Sequence, residues 1–384
     1  MLLGAGLLGA GAVLLSRGRA NAQPALSEPV GLIQRNASPI ALEAPLDSFR
    51  NTITTTDRFF IRYNLPRTPD VDDLKGWALK IGGDGMDGEI AVSMEELRAL
   101  PMRETVAVCQ SAGNRRSFAE PKVPGVQWGI GGMGCAKWRG VRLREVLQRI
   151  NIKPDTIEVA LVGADSALNP DRTPYVKSLP LERALDAGTL IAFEMNGAPL
   201  PLAHGYPARI VRPGWAGTYW MKHLTGLELR TRKLENPFMA ASYRLPRGLI
   251  PTDRPYASQE DEQSSLVTAL QVNALVTNVV DADTIKLAGL VLQGVAWDGG
   301  SGVQSVELSF DGGTRWRSAL LGPDPGRYAF RGWRFPVTGV RPGVLNMLVR
   351  ATGNDGQVQP ERARANPGGF LDNAMQKLSL LTTT

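Results

Sequence analysis

One eight-residue stretch, Cys109-Gln110-Ser111-Ala112-Gly113-Asn114-Arg115-Arg116, gathers a thiol, a hydroxyl and two guanidinium groups around a glycine. A thiolate is a soft, strongly donating ligand suited to a redox-active metal. A serine hydroxyl is harder and does not ionise near neutral pH unaided. Cys109 and Ser111 stand two apart, so an extended strand puts them on one face, about 6.5–7 Å from each other. The plainer role for Cys109 is a small buried side chain at a strand end, and the same holds for Cys135 between Gly134 and Ala136. Two cysteines make no disulfide framework, although one bridge is open to them, and neither is paired with His as zinc sites require. Gly82-Gly83-Asp84-Gly85 is a turn without the Gly-Lys-Ser/Thr of a phosphate-binding loop. No Gly-x-Gly-x-x-Gly opens a strand–helix unit and no Cys-x-x-Cys-His occurs, so neither NAD nor haem is expected.

The elements that must position these groups are mixed. Val106-Ala107-Val108 and Ile157 to Leu161 read as strands, Val141 to Leu147 as a short helix, and Ser93-Met94-Glu95-Glu96 opens another helix with the spacing of a capping box. Strands and helices do not alternate regularly, so the fold class expected is α+β rather than a doubly wound sheet. The 42 glycines and 27 prolines favour loops and strands over a helical bundle. From 266 to 372 the pattern changes: Val306, Leu308 and Phe310 alternate with polar residues, and turns fall at Asp298-Gly299-Gly300, Asp311-Gly312-Gly313 and Asp355-Gly356. That pattern predicts an immunoglobulin-like β-sandwich. The main domain is expected over 58–250, its patterned part ending near Leu234, with a linker rich in Pro, Asp and Ser from about Asn236 to Ser265. Residues 23–57 read as a polar segment wrapping the surface, and 1–22 as an export signal: an apolar run from Leu2 to Leu15, then Ala20-Asn21-Ala22 before a cut at Gln23. No later stretch is apolar enough to span a membrane. The net charge of +6 suits an anionic substrate or is simply a basic surface. No nucleic-acid partner is indicated.

In order along the chain, further blocks extend the pattern: Phe59-Phe60-Ile61-Arg62-Tyr63-Asn64, Val123 to Trp128, Gly134 to Val141, Gly163-Ala164-Asp165, Glu194 to Gly197, His204-Gly205-Tyr206-Pro207-Ala208-Arg209 and Pro213 to Lys222. Together with the Ala-Gly-Asn-Arg-Arg loop, they resemble the sulfite oxidase family of molybdenum enzymes, nearest to the bacterial periplasmic sulfite dehydrogenases. The stretch from Gly302 to Trp316 resembles that family's dimerisation domain. Two positions depart from the family pattern. The loop has Ser111 where the family has its metal-ligating cysteine, and the first block ends in Asn64 where His is usual.

The resemblance implies oxidation of sulfite to sulfate at a mononuclear molybdenum–molybdopterin centre, with electrons passed to an external cytochrome c. It implies a cofactor pocket from Phe60, Ile61, Arg62, Tyr63, Asn64, Asp165, His204, Arg209, Trp220, Met221 and Lys222, an anion pocket from Arg62, Arg116 and Tyr243, and Ser111 at the metal. The residue types are compatible with this. Arg209 and Lys222 suit a phosphate, His204 and Asp165 can bond ring edges, and paired guanidinium groups suit a small desolvated oxyanion. By type alone, Arg209 and Lys222 are equally solvated strand-end charges, and Tyr243 a packing residue. Ser111 has three readings: a replaced cysteine that leaves low activity, a natural alkoxide ligand or non-ligating residue, or a bystander while Cys109 takes the metal. The retained register of Ala112 to Arg116 favours the first two. A homodimer, or a heterodimer with a cytochrome subunit, is implied. So is periplasmic export of the folded, cofactor-loaded protein by a twin-arginine signal. No arginine pair precedes Leu2, so the natural reading frame is expected to extend upstream of Met1. Two alternatives stay open: a cofactor-binding protein without turnover, and an oxidoreductase acting on another small oxo-substrate.

Overall fold

The computed structural model describes residues 29–169, 171–246 and 264–384. The expected export signal lies outside them. So does the middle of the expected linker.

Strands dominate. The α-helices Met94–Arg98, Leu143–Leu147, Leu181–Ala184 and Pro237–Ala240 are single turns, and helix is a small part of the fold among the described residues. The cause is visible at Val141 to Leu147. Val141 and Arg142 finish the long strand Met133–Arg142, and only Leu143–Leu147 turns helical, burying Leu143, Val146 and Leu147 at helical spacing. The capping box at Ser93 is present: Glu96 N–H donates to Ser93 Oγ at 3.2 Å, and Ser93 N–H donates to Glu96 Oε2 at 2.7 Å.

Two five-stranded sheets build the first domain. One runs Ala198–Pro199, Leu190–Met195, Met133–Arg142, Met102–Gln110, with Arg209–Val211 also paired to Leu190–Met195. The other runs Ile90–Ser93, Ala78–Gly82, Leu224–Arg230, Glu158–Gly163, Val176–Pro180, with one parallel pair between Ala78–Gly82 and Leu224–Arg230. Their inner faces share a core that includes Trp138, Leu161, Leu179, Ile191 and Trp220. The strand Met102–Gln110 lies antiparallel on Met133–Arg142 as far as Gln110 opposite Met133. Ser111 is the first residue beyond that ladder.

Residues 29–57 do more than wrap the surface. Ile33–Asn36 and Ala41–Glu43 form a three-stranded sheet with Ile61–Arg62, and Ala41, Ala44, Phe49 and Thr54 are buried. Glu43 is buried too. Its carboxylate accepts from Gly129 N–H at 2.7 Å, Gly131 N–H at 3.0 Å and Arg35 Nε at 2.5 Å. A polar residue reads as solvated from sequence, but here it supplies acceptors for a glycine-rich segment that has no strand partner of its own.

The second domain packs Asn273–Val276, Val291–Trp297, Arg331–Pro336 and Leu320–Leu321 against Thr284–Lys286, Gln376–Thr383, Gly343–Gly353, Val303–Ser309 and Arg317–Ser318. Val306, Leu308, Trp333, Phe335, Met347 and Leu380 meet between the sheets. The expected end at 372 was too early, because Gln376–Thr383 lies inside the five-stranded sheet, between Thr284–Lys286 and Gly343–Gly353. The expected linker is partly structured. Pro237–Ala240 is helical, and Arg244–Pro246 pairs with Ser264–Leu266. Among the described residues no helix is long and apolar enough to cross a membrane.

The domains interlock. Trp297 and Phe330 belong to the first core, in edge contact with each other at 5.3 Å, and Phe330 meets Phe49 at 5.9 Å. Trp297 Nε1 donates to Gln110 Oε1 at 2.7 Å. Leu371 N–H donates to Ala112 O at 2.8 Å, and Arg115 donates to Ala374 O at 2.8 Å.

Candidate functional site

A cavity with about 710 Å³ of empty space, including its open mouth, lies where the loop after Met102–Gln110 meets the blocks around Arg62, Asp165, His204 and Lys222. Strand geometry decides which side chains reach it. Cys109 and Ser111 both line the wall, while Gln110 between them turns away to Trp297. In the first block Phe59, Phe60, Arg62 and Asn64 line the wall, whereas Ile61 and Tyr63 do not and are buried. Ile61 and Tyr63, expected to bind the cofactor, contribute no side chain to the wall. Tyr63 stays close: its ring stacks on His223 at 5.8 Å and carries the Lys222 ammonium at 3.2 Å from its centroid.

Asp165, His204, Arg209, Trp220, Met221, Lys222 and Tyr243 all reach the wall. Arg116 does not. Its guanidinium donates to Gly368 O at 2.7 Å and Val126 O at 2.9 Å and lies over the Phe370 ring at 5.2 Å. Tyr243 and Arg62 are near enough to act on it electrostatically, so it stands just behind the anion pocket expected of it.

Charge is concentrated and poorly compensated. Arg62, Arg209 and Lys222 face the cavity with Asp165 as the carboxylate among them. Arg209 is buried, donates to His204 O at 2.8 Å and Trp220 O at 3.2 Å, and lies over the Trp138 ring at 4.9 Å. Its Nε is buried without a partner. Lys222 donates to Ala203 O at 2.9 Å, and burial, with Arg209 adding to it, holds its ammonium well below the usual lysine range. Burial raises Asp165 in turn, against the pull of Lys222 and backbone N–H groups of Leu65 and Asn64. Three basic side chains to one carboxylate in a desolvated wall suit an anion, whose charge would favour their protonated forms.

Both histidines are neutral. Burial, then the nearby Lys222 and Arg209, push His204 down to about 3, and its Nε2–H donates to Thr56 O at 2.9 Å. That bond fixes the tautomer and leaves Nδ1 as an acceptor. His223, which the sequence reading did not single out, is likewise pushed down to about 3 by burial. Its Nδ1–H donates to Tyr206 O at 2.8 Å, while Nε2 is buried without a partner.

The two candidate metal donors differ. Ser111 is half-buried, and the bond its hydroxyl accepts from Gly113 N–H is long, at 3.4 Å. The Cys109 thiol is buried, with Arg209 in hydrogen-bonding contact, and burial pushes it up to about 11 despite the cations. Cys109 is thus a protonated thiol in the protein by itself. Close approach shapes the opposite wall. A Cβ at Gly217 would come to 3.1 Å from Gln110 O and 3.2 Å from Cys109 Sγ, and Gly205 takes φ +110°, a left-handed conformation that favours glycine.

Tyr243 also has a positive φ, 57°, which is strained for an aromatic residue. Its hydroxyl donates to Asn64 Oδ1 at 3.3 Å. Tyr175 and Thr218 complete that part of the wall, the Tyr175 hydroxyl donating to Thr218 O at 2.7 Å. The sequence reading missed Tyr175. The signal was present in Tyr175-Val176-Lys177-Ser178-Leu179, where polar groups sit inside a buried strand run.

These residues fit a phosphate-bearing pterin with a bound metal. The orphaned Arg209 Nε and His223 Nε2, the excess of cations and the glycine approaches all leave polar capacity that a donor- and acceptor-rich anionic group would use.

Comparison with known proteins agrees. Residues 65–238 match the oxidoreductase molybdopterin binding domain, and residues 264–382 match the Mo-co oxidoreductase dimerisation domain. The chain is 32% identical over 343 residues to the mitochondrial sulfite oxidase of Macaca fascicularis, covering 85% of this chain and 61% of that protein. It is 30% identical over 364 residues to the sulfite oxidase of Gallus gallus, covering 90% of this chain and 77% of that protein. It therefore spans about 61% of the length of the mitochondrial relative. Among solved structures, the sulfane dehydrogenase SoxCD from Paracoccus pantotrophus superposes with a TM-score of 0.75 at 23% identity, covering 92% of this chain and 87% of that one, a likeness of fold.

Proposed function

Since the chain belongs to the sulfite oxidase family of molybdopterin oxidoreductases, we propose that it oxidises sulfite to sulfate and passes the electrons to an external cytochrome c. The observation that carries this reading is the convergence of Arg62, Arg209 and Lys222 on one cavity whose wall also holds Ser111. The molybdenum–pterin group, when bound, supplies the two-electron redox change and the exchangeable oxygen. Arg209 and Lys222 would hold its phosphate, and that negative charge would restore the Lys222 ammonium that burial disfavours. The neutral His204, through Nδ1, and Asp165 would bond the ring edges, and Ser111 would face the metal. Arg62 would bind the substrate oxyanion, with the Tyr243 hydroxyl orienting it. The rings of Phe60, Trp220 and Tyr243 would narrow the reacting face, which must still admit the water that supplies the fourth oxygen of sulfate.

On this reading the second domain is an immunoglobulin-like dimerisation module, serving a homodimer or a pairing with a cytochrome subunit. The protein works in the periplasm, reached by the signal in residues 1–22, and the mature chain begins at Gln23. The test is molybdenum content of the purified protein beside a sulfite:cytochrome c assay. Metal with turnover supports the proposal, whereas metal with turnover only on another reduced sulfur compound moves the substrate.

A second reading has its own observation, the serine hydroxyl at position 111. A pocket that keeps its cations but lacks a thiolate there would hold the cofactor without turning over. Full molybdenum loading with no oxidation of any substrate supports that reading.

A further inference from the structure

Lys177 lies in the strand Val176–Pro180, two residues after Tyr175, and its side chain is 0% exposed. Its ammonium donates to Phe238 O at 2.6 Å and faces two aromatic rings, Tyr219 at 4.7 Å and Tyr243 at 5.0 Å from their centroids. No ion pair involves it among the described residues. The groups around it can be followed element by element. The turn Gly217–Tyr219 contributes the Tyr219 ring, the helix Pro237–Ala240 a carbonyl, and the segment after it Tyr243 and the like-charged Arg244. On the pairing strand, Lys177 sits opposite Leu161, and the nearest carboxylate there, Glu158, is bonded to Leu234 N–H and paired with Arg230. An ammonium buried with one carbonyl and two ring faces is costly, and fixing a neighbour is a use that matches its contacts.

That neighbour is Tyr243, which needs fixing. It has a left-handed backbone, and its hydroxyl has a single long bond to Asn64. Its ring packs on Phe370 at 5.4 Å and on the Lys177 ammonium. We propose that Lys177 is a positioning residue for the anion site: protonated, it holds the Tyr243 ring in place so that the hydroxyl stays at the cavity, and deprotonated it releases that hold. This deepens the reading of the cavity as an oxyanion site and rests on it. Burial, with Arg244 adding to it, pulls the Lys177 amine down to about 7. The hold is therefore present below neutrality and lost as the pH rises through about 7. The positive charge also attracts a bound anion, so both effects strengthen anion binding on the acid side.

The test uses the purified cofactor-loaded protein and sulfate, whose charge is constant across the range, with affinity measured by calorimetry from about pH 6 to about pH 8.5. The parent is expected to lose at least about fivefold in affinity across that range. Lys177→Met should bind at the weak, high-pH level throughout. Tyr243→Phe keeps the ring that Lys177 covers but lacks the hydroxyl, so it should keep only the part of the pH-dependent step that charge attraction supplies, which provides a second reading should Lys177→Met not fold. Sulfate binding in Lys177→Met with the parent's affinity and pH profile overturns the role of Lys177 while leaving the oxyanion site standing, as does a step of the parent's full size in Tyr243→Phe. No sulfate binding by the parent at any pH removes the oxyanion site and the role of Lys177 with it.

Discussion

Replacing Ser111 by cysteine isolates the ligand question, because little else depends on that side chain. The backbone of the loop is held without it: Ser111 N–H donates to Gly132 O at 2.8 Å, Asn114 N–H to Ser111 O at 3.0 Å, and Gly132 N–H to Asn114 Oδ1 at 2.8 Å. The bond its hydroxyl accepts from Gly113 N–H, at 3.4 Å, is too long to contribute more than about 0.5 kcal/mol. The half-buried Ser111 side chain borders the cavity, so the larger sulfur has room. Ser111→Cys should therefore shift the unfolding midpoint by no more than about 2 °C. A thiolate is the better donor for a metal that changes oxidation state. Turnover with sulfite and cytochrome c, expressed per molybdenum, should rise at least about tenfold, or about 1.4 kcal/mol of barrier. Equal turnover in both forms at full metal loading refutes the reasoning. A rise that tracks a rise in metal content shows that the change acts on loading instead of chemistry.

Arg62→Ala should raise the KM for sulfite at least about fivefold with a smaller change in kcat, since a bidentate partner of the anion is lost from the wall. Arg116→Ala should instead act mainly on stability, by about 2–4 kcal/mol in urea unfolding, because its bonds to Gly368 and Val126 carbonyls go unmade; a large KM effect with an unchanged midpoint would put Arg116 in the pocket after all. Glu43→Ala should destabilise by about 3–5 kcal/mol, leaving the N–H groups of Gly129 and Gly131 buried and unpaired; a loss under about 1 kcal/mol would mean that water replaces the carboxylate. Lys177 also links stability to pH. Its amine is held at about 7 when folded against 10.5 for a freely solvated lysine, so between those values the unfolded chain binds the extra proton and stability rises with pH, by up to about 1.4 kcal/mol per unit. That contribution is fully present above about pH 10.5 and lost as the pH falls toward 7. Lys177→Met should flatten it, as urea midpoints at about pH 7 and about pH 9 would reveal.

The cavity wall was legible where chemistry and order coincide. The blocks around Arg62, Asp165, His204 and Lys222 stand in a fixed sequence, and their charged residues have few structural reasons to be buried. The turns at Asp298 and Asp311 were legible because only a few residue types tolerate their backbone. Elsewhere the signal was too local. Tyr63 was grouped with Arg62 because a block of matching residues says nothing about which of two neighbours faces inward. The burial of Glu43 was not legible, since it depends on glycine N–H groups more than eighty residues away. Arg116 carried the right chemistry in the right loop, but Gly368 and Val126 claim its guanidinium, and no spacing rule foretells a partner 252 residues on. Gln376–Thr383 was missed as a strand because its alternation of Leu378, Leu380 and Thr382 ends in threonines at the chain terminus, where a loose tail looks the same.

The bonds that cross from Gln110, Ala112, Arg115 and Arg116 to residues 297 and 368–374 have a consequence for how the protein can be divided. An excised fragment ending near residue 246 would contain every side chain of the cavity wall and yet leave the loop that presents Ser111 without its outer abutment. The second domain is therefore half of the mould in which that loop is cast. Any partner that docks on it and shifts residues 368–374 acts on the reaction chamber through a few hydrogen bonds and not through a flexible tether.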